Sequence, residues 1–371
     1  MECLTKWPEP IVRVQSLSES GTRAIPNSYI KPPSERPSLD CVDQTSDINI
    51  PAIDLGGLYG NAGEREKTSQ IVADACREWG FFQVVNHGVS VELMERIKGA
   101  WRDFFHLPLE MKETYSNSPK TYEGYGSRLG VDKTTVLDWG DYFFLNLVPY
   151  SIRNMDKWPT FPASLRAIID EYGNELAKLS EVVTGLLSKS LGMEEESLHD
   201  TFGGEEMGMT LRVNYYPKCP EPHLTLGLSA HSDPGALTLL LPDDRVNGLQ
   251  VRKGDAWVTV KAAPNSFIIN VGDQIQVLSN GIFKSVEHRV MANSTQERLS
   301  VAFFYNPKND VQVGPAPTLV TPDRPALYQP ITFGDYRLYM RTKGPRGKSH
   351  VECLKLIGGD LSTHCSRKEE S

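Results

Sequence analysis

From residue 209 onward, apolar and polar side chains alternate in short runs separated by Gly, Pro and Asn. That pattern predicts strands at 211–216, 236–241, 249–252, 257–261, 267–271, 285–291 and 299–306. Upstream the texture differs. Residues 64–79 place Ile71, Val72, Ala75 and Trp79 on one side at helical spacing, Gly80 stops the run, and 81–86 reads as a short buried strand. Residues 48–55 alternate as a first strand. A second helix is predicted over 90–107, with Ser90 as N-cap and Pro108 at its end. A long core helix follows over 163–191, where no proline interrupts the apolar spacing. The stretch 122–146 is glycine-punctuated and aromatic, and a last helix over 332–341 precedes a polar tail.

Many short strands joined by turn residues point to an antiparallel sandwich or jelly roll. The helical part lacks a full core of its own, so the chain reads as one α+β unit: a double-stranded β-helix core braced by N-terminal helices and a C-terminal helix. Four segments are expected: a loosely ordered arm at 1–47, rich in Pro, Ser, Glu and Asp; a helical and strand region at 48–205; the β core at 206–310; and the terminal helix and tail at 311–371.

Composition narrows the function. Of 371 residues, 39% are hydrophobic and 23% charged, which excludes global disorder. Lys and Arg number 39 against 47 Asp and Glu, a net charge of −8, the wrong sign for a broad nucleic-acid footprint. No apolar run approaches the roughly 20 residues of a membrane helix. Prolines and charges stand where a signal peptide would be apolar. Six scattered cysteines without a Cys-x-x-Cys pair read as free thiols. A cytoplasmic, monomeric protein acting on a small molecule is expected, without nucleic-acid or membrane partners.

The sharpest chemical signal is His231-Ser232-Asp233. Residues two apart on extended chain share a face, so an imidazole and a carboxylate converge. A third ligand is offered by His288, which shares its face with Val286 and Val290; the alternative for such a residue is a hydrogen-bonded core histidine. In 298–304, period two puts Arg298, Ser300, Ala302 and Phe304 on one face with no acidic residue. A buried cation costs several kcal/mol unless paired. Arg298 and Ser300 therefore suggest a cradle for a ligand carboxylate, against the alternative of a solvated edge arginine. Arg212, Asn214 and Tyr216 likewise share one polar, aromatic face.

His-x-Asp, a distant His and Arg-x-Ser, following Asn-Tyr-Tyr-Pro, resemble the plant 2-oxoglutarate and Fe(II)-dependent dioxygenases. Residues 79–89, Trp-Gly-Phe-Phe-Gln-Val-Val-Asn-His-Gly-Val, resemble the N-terminal region of the same family. The likeness covers 48–342. Within the family the chain is most similar to the jasmonate-induced oxygenases, which hydroxylate jasmonic acid. The resemblance implies that His231, Asp233 and His288 form the facial triad for Fe(II), which leaves three positions open for 2-oxoglutarate and O2. Arg298 and Ser300 would hold the distal carboxylate of 2-oxoglutarate, with Asn214 and Tyr216 in support. Ascorbate would serve as reductant.

Two positions bear on the substrate. Flavonoid oxidases of the family usually carry a lysine at Arg212 and often a glutamate at Asn306. An Arg fork matches a carboxylate, and a neutral Asn306 does not repel one. Arg337 on the terminal helix can lie over the barrel mouth in this fold, or on the surface. Tyr142, Phe144 and Phe304 match pocket positions of related enzymes, or are ordinary core aromatics. The resemblance thus implies a jasmonic acid hydroxylase giving 12-hydroxyjasmonic acid and so lowering active hormone in jasmonate defence signalling. The rivals are a flavonoid or gibberellin oxidase, an ascorbate-using relative, a zinc hydrolase and a hormone-binding protein without turnover. The remaining marked residues read as structural or exposed: His87 at a turn, His199 and His223 at the surface, Cys219 in the interior, and 194–196 at a helix start.

Overall fold

The computed structural model describes residues 6–7, 11–37 and 48–356. The strands of its two main sheets are β1 (Ala52–Asp54), β2 (Phe81–Val85), β3 (Gly124–Gly126), β4 (Asp141–Val148), β5 (Gly208–Tyr216), β6 (Leu228–His231), β7 (Leu237–Leu241), β8 (Leu249–Lys253), β9 (Ala256–Thr259), β10 (Phe267–Val271), β11 (His288–Val290) and β12 (Arg298–Asn306). Eight of them form one sheet in the order β1-β2-β10-β7-β12-β5-β4-β3. A second sheet runs β6-β11-β8-β9. Apart from the parallel β1–β2 pair, the ladders are antiparallel. The two sheets enclose a cavity whose walls come from both, the jelly-roll arrangement predicted from the strand pattern.

Period-two alternation decides what each face of the large sheet does. On β5, Leu211, Val213 and Tyr215 turn to the main core; on β12, Leu299, Val301, Phe303 and Tyr305 do the same. There they meet helices α2 (Ala62–Glu78), α3 (Val91–Phe105) and α5 (Leu165–Ser190), the shorter α4 (Leu109–Glu113), α6 (Ser197–Thr201) and α7 (Asp273–Leu278) being single turns or little more. α5 buries Leu165, Ile169, Tyr172, Leu176, Val183 and Leu187, and α3 buries Trp101, Phe104 and Phe105. Each large apolar side chain so buried contributes about 1.5–3 kcal/mol. Helical and strand residues belong to one cluster, so the N-terminal part has no separate core.

Local signals explain the element ends. α2 starts with a capping box, Asn61 accepting from the Glu64 amide while the Glu64 carboxylate accepts from the Asn61 amide. It stops at Gly80, whose φ of +63° suits glycine; a Cβ there would sit 2.1 Å from the Lys284 carbonyl. Ser90 precedes α3 without a side-chain capping bond.

Three features depart from or add to the expectations. The arm expected to be loose is anchored at Arg13, Val14, Gln15, Ile25, Tyr29 and Lys31, while residues 19–24, 26–28 and 32–35 are exposed. A short α1 (Val14–Glu19) forms, and Val14, Ile25 and Tyr29 are buried with Trp139 and Cys219. The amides of Val14 and Gln15 donate to the two oxygens of buried Asp141, and Lys31 pairs with Asp138 at 2.8 Å and donates to Ser229 Oγ. Second, the polar tail is not free as far as residue 356. After α8 (Phe333–Lys343), a helical turn at Ser349–Glu352 buries His350 and Val351, and Leu354 is buried as well. Third, a short helix at Asp273–Leu278 lies where no element was expected. The remaining stretches of the arm and tail, 1–5, 8–10, 38–47 and 357–371, lie outside the described residues.

Candidate active site

The cavity between the sheets has a volume of about 210 Å³. His231 ends β6, Asp233 follows two residues later, and His288 begins β11, directly opposite His231 in the ladder. Their ligand atoms lie within 4.8 Å of one another: Asp233 Oδ1 is 3.6 Å from His231 Nε2 and 3.7 Å from His288 Nε2.

Hydrogen bonds outside the trio fix which atoms face inward. The Nδ1 of His231 lies 2.8 Å from the Ser229 carbonyl and that of His288 lies 3.2 Å from the Val286 carbonyl. Each Nδ1 is thus a donor in the neutral ring, which leaves both Nε2 atoms bare. Burial and the neighbouring His288 push His231 down to about 4, so its imidazole stays neutral. Asp233 Oδ2 accepts from Thr238 Oγ1 at 2.6 Å and Asn270 Nδ2 at 2.8 Å, so Oδ1 alone remains for the site. Burial opposes the Asp233 charge, yet His288, His231 and the two donors outweigh it and hold the group below the usual carboxylate range. Two bare imidazole nitrogens and one carboxylate oxygen make a facial donor set that fits Fe(II).

The large sheet supplies the facing wall in register. Asn214 pairs with Tyr142 on β4 and with Ser300 on β12; Arg212 pairs with Phe144 and Ala302; Tyr216 pairs with Arg298. Arg298 is buried, donates to Ser300 Oγ at 3.2 Å, lies 5.3 Å from the Tyr216 ring centre, and its Nε has no partner. Burial lowers its pKa. It has no acidic ion-pair partner among the described residues. Tyr216 stands four positions from Arg212, about 13 Å along a strand, so the wall offers two distinct cationic seats.

At the second seat, Arg212 stacks 4.4 Å over Tyr142, and its buried Nε is unpartnered. Arg337 from α8 lies over the Phe144 ring, and burial together with Arg341 lowers its pKa. Phe304, Tyr142 and Phe144 line the same cavity, as does the neutral Asn306. Every residue singled out from the sequence as a site residue therefore lines one cavity. Sequence reasoning missed Arg341, which lies over the Tyr122 ring, and missed Thr238 and Asn270 behind Asp233. Arg341 stands one helical turn from Arg337, and Asn270 is the lone polar residue of an apolar strand; both signals were available. His87 bridges the Val89 amide and the Asn265 carbonyl, at the turn expected for it.

Two family models match the chain: the 2OG-Fe(II) oxygenase superfamily over residues 207–307, and the N-terminal region described as non-haem dioxygenase in morphine synthesis over 50–161. The chain belongs to the 2OG-Fe(II) oxygenase superfamily and is a dioxygenase that uses Fe(II) and 2-oxoglutarate. It is 57% identical to jasmonate-induced oxygenase 1 of Arabidopsis thaliana, over 94% of this chain and 87% of that one. It is 43% identical to flavanone 3-dioxygenase 2 of Oryza sativa subsp. japonica, over 92% of this chain and 97% of that one. Among solved structures, the crystal structure of JOX2 in complex with 2OG, Fe and JA matches with a TM-score of 0.89 at 57% identity. That match covers 95% of this chain and all of that one.

Proposed function

We propose that this dioxygenase hydroxylates jasmonic acid, giving 12-hydroxyjasmonic acid and so lowering the active hormone. The observation that carries the reading is the second cationic seat: Arg212, Arg337 and Arg341 surround an aromatic stretch of cavity wall with no acidic ion-pair partner among the described residues. Of the residues lining the cavity, four are arginines and one, Asp233, is a carboxylate. A small acid with an apolar body fits that arrangement, because its carboxylate pairs the half-buried arginines and its body covers Tyr142, Phe144 and Phe304. The similarity to jasmonate-induced oxygenases at 57% identity supports the same substrate class.

His231, Asp233 and His288 would hold the iron. Arg298 and Ser300 hold the distal carboxylate of 2-oxoglutarate, with Asn214 and Tyr216 beside them. Bound iron with 2-oxoglutarate supplies the oxidation by O2, releasing succinate and carbon dioxide. The arginines of the second seat orient the acid, and the aromatic wall excludes water from it. Asn306, whose Nδ2 donates to Thr210 Oγ1, keeps the wall free of a second negative charge.

The test is reconstitution with Fe(II), 2-oxoglutarate and ascorbate against jasmonic acid, a gibberellin and a flavanone, following succinate and product mass together. A gain of one oxygen on jasmonic acid, matched by succinate, is expected. Oxidation of the flavanone or gibberellin instead would replace the substrate, and no succinate with any of the three would favour a binding protein.

A further inference from the structure

Behind the metal turn stands a carboxylate that lines no part of the cavity. Asp273, at the start of the Asp273–Leu278 helix, is fully buried, and its carboxylate accepts four hydrogen bonds. Oδ2 accepts from Ser232 Oγ at 3.1 Å and from Tyr336 OH at 2.7 Å. Oδ1 accepts from Ser285 Oγ at 2.7 Å and from Lys348 Nζ at 3.0 Å. Its amide donates to the Asp233 carbonyl at 2.8 Å. The close approach of the two chains needs Gly272, where a Cβ would fall 2.2 Å from the Gly235 carbonyl.

Each donor lies on a segment that reaches the site. Ser232 lies between His231 and Asp233, and Ser285 lies three residues before His288. Tyr336 immediately precedes Arg337 on α8. Lys348 follows Gly347, whose φ of +57° lets its amide donate to the Ala230 carbonyl at 2.9 Å, beside His231. Gly344 and Pro345 of the same segment line the cavity. A simple anchor for a chain end would need one of these contacts. Here a single carboxylate ties the metal turn, the approach to the third ligand, the helix bearing two arginines and the terminal segment into one frame.

We propose that Asp273, held by Tyr336 and Lys348, is a positioning residue that sets the arginines of α8 at a fixed place relative to the metal turn. The acid's carboxylate is then seated so that its reacting carbon, and no other, meets the iron. The inference deepens the reading of the site as a jasmonate hydroxylase and rests on it for the substrate. Loosening the frame displaces the arginines while the Arg298 seat, on the other sheet, stays in place.

The experiment uses the full chain with Lys348→Met, Lys348→Arg and Tyr336→Phe. Lys348→Met is expected to raise the KM for jasmonic acid about tenfold, a size typical of a shifted positioning network. The KM for 2-oxoglutarate stays at the wild-type value, and succinate forms without matching hydroxylated acid. Lys348→Arg restores both KM and coupling, and Tyr336→Phe shifts them in the same direction as Lys348→Met, which keeps the test open if Lys348→Met fails to fold. A readout free of substrate is amide exchange over 344–350, expected to accelerate in Lys348→Met. Unchanged exchange, unchanged KM and coupling in both variants, or a loss of activity that merely follows the folded fraction would overturn the proposal. Oxidation of jasmonic acid by the wild type decides the substrate reading separately, because the exchange measurement does not involve it.

Discussion

Asp233 has two oxygens with different fates. Thr238 and Asn270 occupy one, which leaves the other as a single ligand atom. Outer partners of this kind orient a ligand and sharpen its affinity. Asn270→Ala is expected to weaken Fe(II) binding by about 10–100-fold, read by titration of the apoprotein under anaerobic conditions. Arg212→Ala is expected to cost about 2–5 kcal/mol in binding of jasmonic acid, because it removes one member of a desolvated ion pair. Calorimetry with 2-oxoglutarate should show no change, since the proposed seat of that co-substrate is the one at Arg298. Jasmonic acid binding with wild-type affinity would sink the assignment of Arg212. Residues of this scale were legible where two functional groups share a face two positions apart, as in 231–233, 298–300 and 212–216. Asn270 was missed although it is the one amide in an apolar strand, because the pattern of its neighbours reads only as a buried strand.

The elements were readable where alternation or helical spacing runs long enough to repeat. The predicted 299–306 and 163–191 runs are the clearest, and β12 and α5 occupy nearly those bounds. Shorter pieces escaped. The segment 11–37 offers only isolated apolar residues, and nothing local reveals that Val14, Ile25 and Tyr29 complete a cluster with Trp139 and Cys219. Its anchoring is also non-local, through Asp141 on β4, next to the cavity residue Tyr142. Asp141→Ala would leave the amides of Val14 and Gln15 without acceptors, at about 1–3 kcal/mol for each one that stays buried. Urea denaturation should register that loss. Limited trypsin digestion should also cut after Arg13, which is 6% exposed in the intact fold.

At the scale of the whole molecule, titration behaviour follows from burial. His231 is held at about 4 against an ordinary 6.5 by burial and by His288. Between those values the unfolded chain binds a proton that the folded chain refuses, so acid favours the unfolded state. The metal-free protein should therefore lose stability as pH falls from 6.5 towards 4, with no contribution from this group above 6.5. Urea midpoints at stepped pH test this, and His231→Gln should flatten that part of the curve.

The net charge of −8 conceals a cavity in which arginines outnumber carboxylates four to one. For an acid of the proposed class, that imbalance makes the ionised carboxyl an address label. Esterifying the acid leaves its ring and side chain intact but erases the label, and the guanidiniums then face a neutral group at the cost of their own desolvation. Capping the carboxyl and oxidising the far end thus become competing fates of one molecule, with whichever reaction comes first closing or sparing the route through this enzyme.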